Sequence, residues 1–126
     1  MDRLLKTGSR ISLFIDPEDF LYRDVSVIRD SRAHRVELYT KAYADRPTDH
    51  GILDCYREVA QRCKELGLGV NAGHDLSKEN LDLFLKTVMV VDEVSIGHAL
   101  ISDALVLGIG ETMERYLKIT RSYTTE

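Results

Sequence analysis

Four short segments of this chain carry apolar side chains at one parity and mostly polar or very small ones at the other, and this one-sidedness limits the folds open to it more than any other feature. In 11–16, Ile11, Leu13 and Ile15 alternate with Ser12, Phe14 and Asp16; in 35–40, Val36 and Leu38 alternate with Arg35, Glu37 and Tyr39. In 68–73, Leu68, Val70 and Ala72 oppose Gly69, Asn71 and Gly73, and in 90–96, Val94 and Ile96 oppose Ser95 and Gly97. A period of two is the signature of strands with two different faces. Helical patterns separate the four, so the connections are helical crossovers and the sheet is parallel. The central strands of a doubly wound sheet are apolar at both parities, because helices cover both faces. These strands instead fit an α/β barrel with helices outside and a partly polar lumen. A TIM-type (β/α)8 barrel has eight strands and this chain has four. It reads as half a barrel, a single unit over 1–126.

The helices follow from 3.6-residue periodicity. Residues 1–8 read as a last helical turn, with Leu4 and Leu5 apolar and Gly8 as the stop. Asp16 and Pro17 form an N-cap and first helical residue for a helix using Phe20, Leu21, Val25 and Ile28. Between Lys41 and Gly51 lies a polar loop longer than most connections, a length more often found in functional loops. Ile52 to Leu66 is the clearest helix: Ile52, Cys55, Tyr56, Val59, Cys63 and Leu66 share one stripe, with Asp54, Arg57, Gln61, Lys64 and Glu65 opposite. Ser77 is the N-cap expected for a helix to about Lys86, using Leu81, Phe84 and Leu85. A short apolar helix, ALISDALVL, and an amphipathic one with Met113, Tyr116 and Leu117 complete the order, and the tail after Arg121 is expected to fray.

Composition narrows the function. Basic and acidic residues are mixed and the net charge is -4, so there is no basic stripe for nucleic acid and no polybasic cluster for a membrane surface. The apolar runs are too short to span a bilayer, and MDRLLKTGSR does not read as a secretory signal, so the expected location is the cytoplasm. Cys55 and Cys63 lie eight apart on one helix, which fits neither zinc spacing nor an intrahelical disulfide, and they read as reduced core residues.

Barrel enzymes keep their chemistry at the carboxyl ends of the strands, and often grip phosphate after the last two strands with the start of a short extra helix. The third strand here ends in Gly73-His74-Asp75, and the fourth in Gly97-His98 directly before a short helix. Histidine as a residue type suits acid/base chemistry, and glycine lets backbone approach a ligand. Free N–H groups at the helix start would attract phosphate. Each residue also has a plainer role. His74 could be a surface or capping side chain, Glu37 a partner of Arg35 or another lumenal cation, and His98 a helix cap. His34 and His50 read as solvated, and Tyr39, Tyr43 and Asn71 could either line a pocket or support the loops.

Taken together, ISLFIDP, RVELYT followed by YAD, ELGLGVNAGHDL and EVSIGHALISDAL resemble the fifth to eighth strands of the pyridoxine 5'-phosphate synthase family, in order, from about Ser9 to Leu117. The resemblance implies a barrel enzyme that condenses 3-amino-2-oxopropyl phosphate with 1-deoxy-D-xylulose 5-phosphate, releasing phosphate and water, without a metal or bound organic cofactor. It implies that His74 is the proton donor, that Glu37 stabilises the transition state, and that Asp75, Gly97 and His98 lie where substrate phosphate binds. Phosphorylated small molecules are the implied partners, with homo-oligomers or pairing with the missing amino-terminal half. The sequence departs from the family in three ways. Asp75 stands where many members have glycine, the TKAYAD loop lacks the glycine that commonly follows its threonine, and the proton acceptors assigned to the first half of the barrel are absent. The alternative reading is a non-catalytic phosphate-binding half barrel that assembles with itself or another protein.

Overall fold

The computed structural model describes residues 2–123. Its four strands, β1 (Ser12–Ile15), β2 (Arg35–Tyr39), β3 (Gly69–Gly73) and β4 (Glu93–Ser95), lie side by side in sequence order, all parallel. The register aligns Phe14, Glu37, Asn71 and Glu93 in one row and, two residues on and on the same face, Tyr39, Gly73 and Ser95. Val36, Leu38, Val70 and Ala72 are fully buried on the helical side. Phe14, of the opposite parity, is 59% exposed. One face covered and one face bare is what the alternation requires, and the arrangement is consistent with half of a (β/α)8 barrel.

The helix α5 (His50–Glu65) covers that sheet. The Asp49 side chain accepts from the Gly51 and Ile52 amides at its start, and the predicted stripe is buried through Cys63, with Leu66 partly so. Phe84, on α6 (Leu81–Val88), joins it, with ring centroids 5.1 Å from Tyr43 and 5.7 Å from Tyr56. Burial drives the thiols of Cys55 and Cys63 up to about 11, so both are inert core groups.

Several boundaries differ from the sequence reading. The helix expected from Pro17 to Ile28 is broken into α2 (Pro17–Phe20) and α3 (Ser26–Asp30). Arg62 of α5 donates to the carbonyls of Phe20, Leu21 and Arg23 at 3.2, 3.0 and 2.5 Å, and Asp24 takes the Ser26 amide at 2.8 Å; these side chains replace the helical bonds between the two turns. The polar loop contains α4 (Lys41–Asp45), which buries Tyr43. The helix expected from Ser77 starts at Leu81, because Asn80 folds its side chain back onto the Ser77 amide at 2.8 Å. The fourth strand is three residues rather than seven. Asp92 meets Val70 through its backbone N–H and through its carboxylate, at 2.7 and 2.8 Å, outside the regular ladder. At the ends, α1 spans Asp2–Leu5, with Met1 outside the described residues. The last two helices are α7 (His98–Leu107) and α8 (Ile109–Arg121). Tyr116 of α8 is buried, whereas Met113 and Leu117 are exposed. Beyond Arg121, Tyr123 is held by its hydroxyl on Asp82, and 124–126 lie outside the described residues.

A polar network gathers near the strand starts, reaching from the bare face round to α5. Arg10 grips Glu93 with two bonds of 2.7 and 3.0 Å, Asn71 joins Glu93 to Arg35 at 3.2 and 2.8 Å, and Lys64 holds Asp92 at 2.8 Å. Gly69 makes room for it, since a methyl group there would sit 2.6 Å from the Arg35 guanidinium carbon. Arg35 Nη2 is buried without a hydrogen bond yet lies 3.4 Å from Asp92, a charge contact of poor bonding geometry. Burial pushes the Asp92 carboxyl up, but the Lys64 bond, the Val70 amide and the neighbouring cations outweigh it, so its pKa lies below the ordinary value. The Arg10 bond likewise lowers Glu93. A carboxyl whose pKa is lower folded than unfolded stabilises the fold above the ordinary carboxylate range, and that contribution is lost as pH falls through the folded value. Asp92→Asn is therefore expected to lower stability at neutral pH, with the gap to the parent chain shrinking by about pH 3. Urea unfolding at the two pH values checks this; a pH-independent gap would show that Asp92 acts through packing alone.

Candidate functional site

The site forms where β3 and β4 end side by side. Gly73 closes β3, and the chain then turns through His74 and Asp75 with φ of 97° and 57°, left-handed values that cost non-glycine residues free energy. The neighbours hold this turn in place. Buried Thr40, just after β2, donates its amide to the Gly73 carbonyl at 2.9 Å and its hydroxyl to the His74 carbonyl at 2.5 Å. Asn80 Nδ2 donates to the Asp75 carbonyl at 3.1 Å. The His74 ring meets Tyr39 edge-on with centroids 4.7 Å apart, and Tyr39 in turn packs on Phe14.

Below His74, the Glu37 carboxylate lies against Gly73. A methyl group on Gly73 would come within 2.5 Å of Glu37 Oε1 and 3.1 Å of Ser95 Cβ, so glycine is what admits the carboxylate. Arg35 is committed to Asn71, Asp92 and Glu93, and the ion pair between Arg35 and Glu37 does not form. Among the described residues the Glu37 carboxylate has no hydrogen bond or ion pair, although its backbone lies within the sheet ladder. A half-buried carboxylate without a partner can meet positive charge developing on a ligand at the bare face.

His74, Asp75, Ser95, Ile96, Gly97 and His98 line one cleft of about 330 Å³. Gly97 is the N-cap of α7, no side chain caps this helix, and its first bond runs from the Ile101 amide to the Gly97 carbonyl at 3.2 Å. His98 therefore does not cap its helix; it opens it, exposed, across the cleft from His74. The amides before Ile101 have no helical partner, and with the helix dipole they favour an anion. Asp75 is partly neutralised by Lys41, whose Nζ lies 3.7 Å from its Oδ2; the same oxygen lies 3.2 Å from His74 Nδ1. The Asp45 bond and, more weakly, the Asp75 charge raise the Lys41 pKa and keep it cationic. A larger cleft, about 620 Å³, runs between Lys64, Leu85, Met89, Asp92, Val94 and Tyr123, and includes none of the residues singled out for chemistry.

The structure thus brings His74, Asp75, Gly97 and His98 into one cleft, with Glu37 beneath it. Tyr43 and Asn71 take the supporting role: the Tyr43 hydroxyl donates to the Asn80 carbonyl at 2.6 Å, and Asn71 belongs to the polar network. His34, read as merely solvated, accepts the Ile11 amide on Nδ1 at 2.9 Å and ties β1 to β2. Thr40 and Lys41 were not singled out for roles at the turn. Their one sequence signal is position, directly after the strand beside the one that carries His74.

The family model described as pyridoxal phosphate biosynthesis protein PdxJ matches residues 1–122 of this chain. The chain belongs to that family. Curated proteins named pyridoxine 5'-phosphate synthase are similar to it: the one from Christiangramia forsetii is 42% identical over 117 residues, covering 90% of this chain and 48% of the relative. The one from Bacteroides thetaiotaomicron is 43% identical over 125 residues, covering 96% and 51%, and the one from Albidiferax ferrireducens is 45% identical over 114 residues, covering 88% and 44%. The chain spans about half the length of these synthases. Membership in the PdxJ family ties it to vitamin B6 biosynthesis and accounts for an α/β architecture with its loops gathered at one end of the strands.

Proposed function

We propose that this chain is the carboxyl-terminal half of a pyridoxine 5'-phosphate synthase, supplying strands five to eight of the closed barrel. The reaction is the condensation of 3-amino-2-oxopropyl phosphate with 1-deoxy-D-xylulose 5-phosphate to pyridoxine 5'-phosphate, phosphate and water. The observation that carries this reading is the convergence of His74–Asp75 and Gly97–His98 on one cleft, with unpaired Glu37 directly beneath Gly73. In the proposed cycle His74 gives a proton to a departing oxygen, its ring held by Tyr39 and its backbone by Thr40. Glu37 offsets positive charge as the ring forms, and Asp75, Gly97 and His98 cradle a substrate phosphate, the last two with amides at the start of α7. Lys41 draws off part of the Asp75 charge, which makes a carboxylate beside phosphate tolerable. No helix among the described residues is long and apolar enough to cross a membrane.

A chimera tests the reading. With this chain in place of the matching half of the Bacteroides thetaiotaomicron synthase, the fused barrel is expected to form pyridoxine 5'-phosphate from the two phosphorylated substrates. A folded chimera that binds either substrate without turnover would favour the non-catalytic phosphate-binding role instead.

A further inference from the structure

The two walls of the cleft come from different parts of the fold, and something must set the distance between them. One wall is the His74–Asp75 turn after β3; the other is the start of α7. Apolar burial holds α7 only lightly, through Leu100, which is partly buried against the core. None of its residues is buried, Ile101, Leu105 and Val106 are 59, 84 and 83% exposed, and the helix packs mainly on α8, which follows it after Gly108. A helix held so lightly takes its position from its polar contacts.

One junction supplies them. Asp103, one turn into α7, uses both carboxylate oxygens: Oδ1 takes the Lys78 ammonium and Oδ2 takes the Tyr116 hydroxyl at 2.9 Å. The same hydroxyl accepts the Lys78 backbone N–H at 3.2 Å, so Tyr116, buried on α8, touches both partners. Lys78 sits three residues after Asp75, in a segment closed by the bond from Ser77 to Asn80 and the bond from Asn80 to the Asp75 carbonyl. The junction therefore joins the histidine turn, α7 and α8. The Lys78 bond holds the Asp103 carboxyl below its ordinary range, and burial with the Asp103 bond pushes Tyr116 up to about 12, so ionised carboxylate and neutral phenol persist across the physiological range.

We infer that Asp103, with Lys78 and Tyr116, is a positioning residue that fixes the amino end of α7 opposite the His74–Asp75 turn and so sets the anion affinity of the cleft. None of the three lines the cleft, and their effect is transmitted through backbone. The inference rests on the phosphate reading above, and goes beyond it by placing control of the site in a junction outside it.

The test compares the parent chain with Asp103→Ala and Tyr116→Phe, the second chosen because it keeps the buried ring and should fold if the first does not. Backbone amide signals and hydrogen exchange at Gly97, His98 and the first turn of α7 are read by NMR, and inorganic phosphate is then titrated in. In both variants exchange is expected to rise in that turn, the Gly97 and His98 signals to shift, and phosphate affinity to drop about ten-fold. If the parent binds phosphate and a folded variant binds it equally well, or if those amides do not move, the inference is overturned. If the parent shows no phosphate binding, the functional reading fails by itself, and the amides alone decide whether the junction positions α7.

Discussion

In a barrel completed with the amino-terminal half of a relative, His74→Ala is expected to lower turnover by at least ~10²-fold, and Glu37→Gln by a similar factor, the scale on which acid/base and electrostatic groups act. The two losses have different origins. Alanine at 74 leaves the turn in place, because Thr40 holds its backbone carbonyl rather than its side chain, so the loss reports the imidazole. Glutamine at 37 fills the same space beside Gly73 and removes only charge. Since Glu37 forms no ion pair with Arg35, neutralising it orphans no buried cation and stability should change little. His98→Ala is the contrast, with its effect expected chiefly in the substrate KM. Steady-state rates with both substrates, alongside thermal unfolding of each variant, decide the matter. A near-normal kcat in His74→Ala or Glu37→Gln would remove that residue from the chemistry.

The second large effect concerns the 126-residue chain on its own, which is expected to show no synthase turnover and not to remain a monomer. Among the described residues β1 and β4 each pair on one side only, leaving a row of backbone donors and acceptors open, and the face carrying Phe14 and Tyr39 has no covering layer. Such edges recruit another strand, so sedimentation at micromolar concentration is expected to report a dimer or larger species. Turnover should appear only when an amino-terminal half barrel is added, because the proposed reading places the proton acceptors in that half. A compact monomer that unfolds cooperatively, or turnover by the purified chain alone, would refute the half-barrel reading. An assembly of this chain alone that binds phosphate without turnover would place it in the rival, non-catalytic class.

What was legible in the sequence is what periodicity encodes. Alternation gave the four strands and their bare face, and a helical stripe gave α5 almost to the residue, because these patterns record burial. Helix ends were less legible, since they depend on distant side chains. Nothing near Phe20 announces that Arg62, forty-two residues on, will take its carbonyl, and nothing near Ser77 shows that Asn80 will fold back onto it. The cleft could be located from two Gly-His pairs at strand ends. Its support could not: Thr40, Lys78, Asp103 and Tyr116 read as ordinary polar residues until the fold brings them together. The ion pair weighed for Glu37 failed for a similar reason, because Arg35 had better partners on strands its own sequence neighbourhood does not reveal.

The Arg10–Glu93 clamp joins a residue two positions before the first strand to the first residue of the last, so the outer strands of the sheet are tied together from within the chain. An incoming half barrel then meets a template already shaped rather than one that must be bent during docking. Less ordering free energy is spent at the moment of encounter, so the union should behave as rigid-body association, with its rate set by collision and orientation rather than by folding.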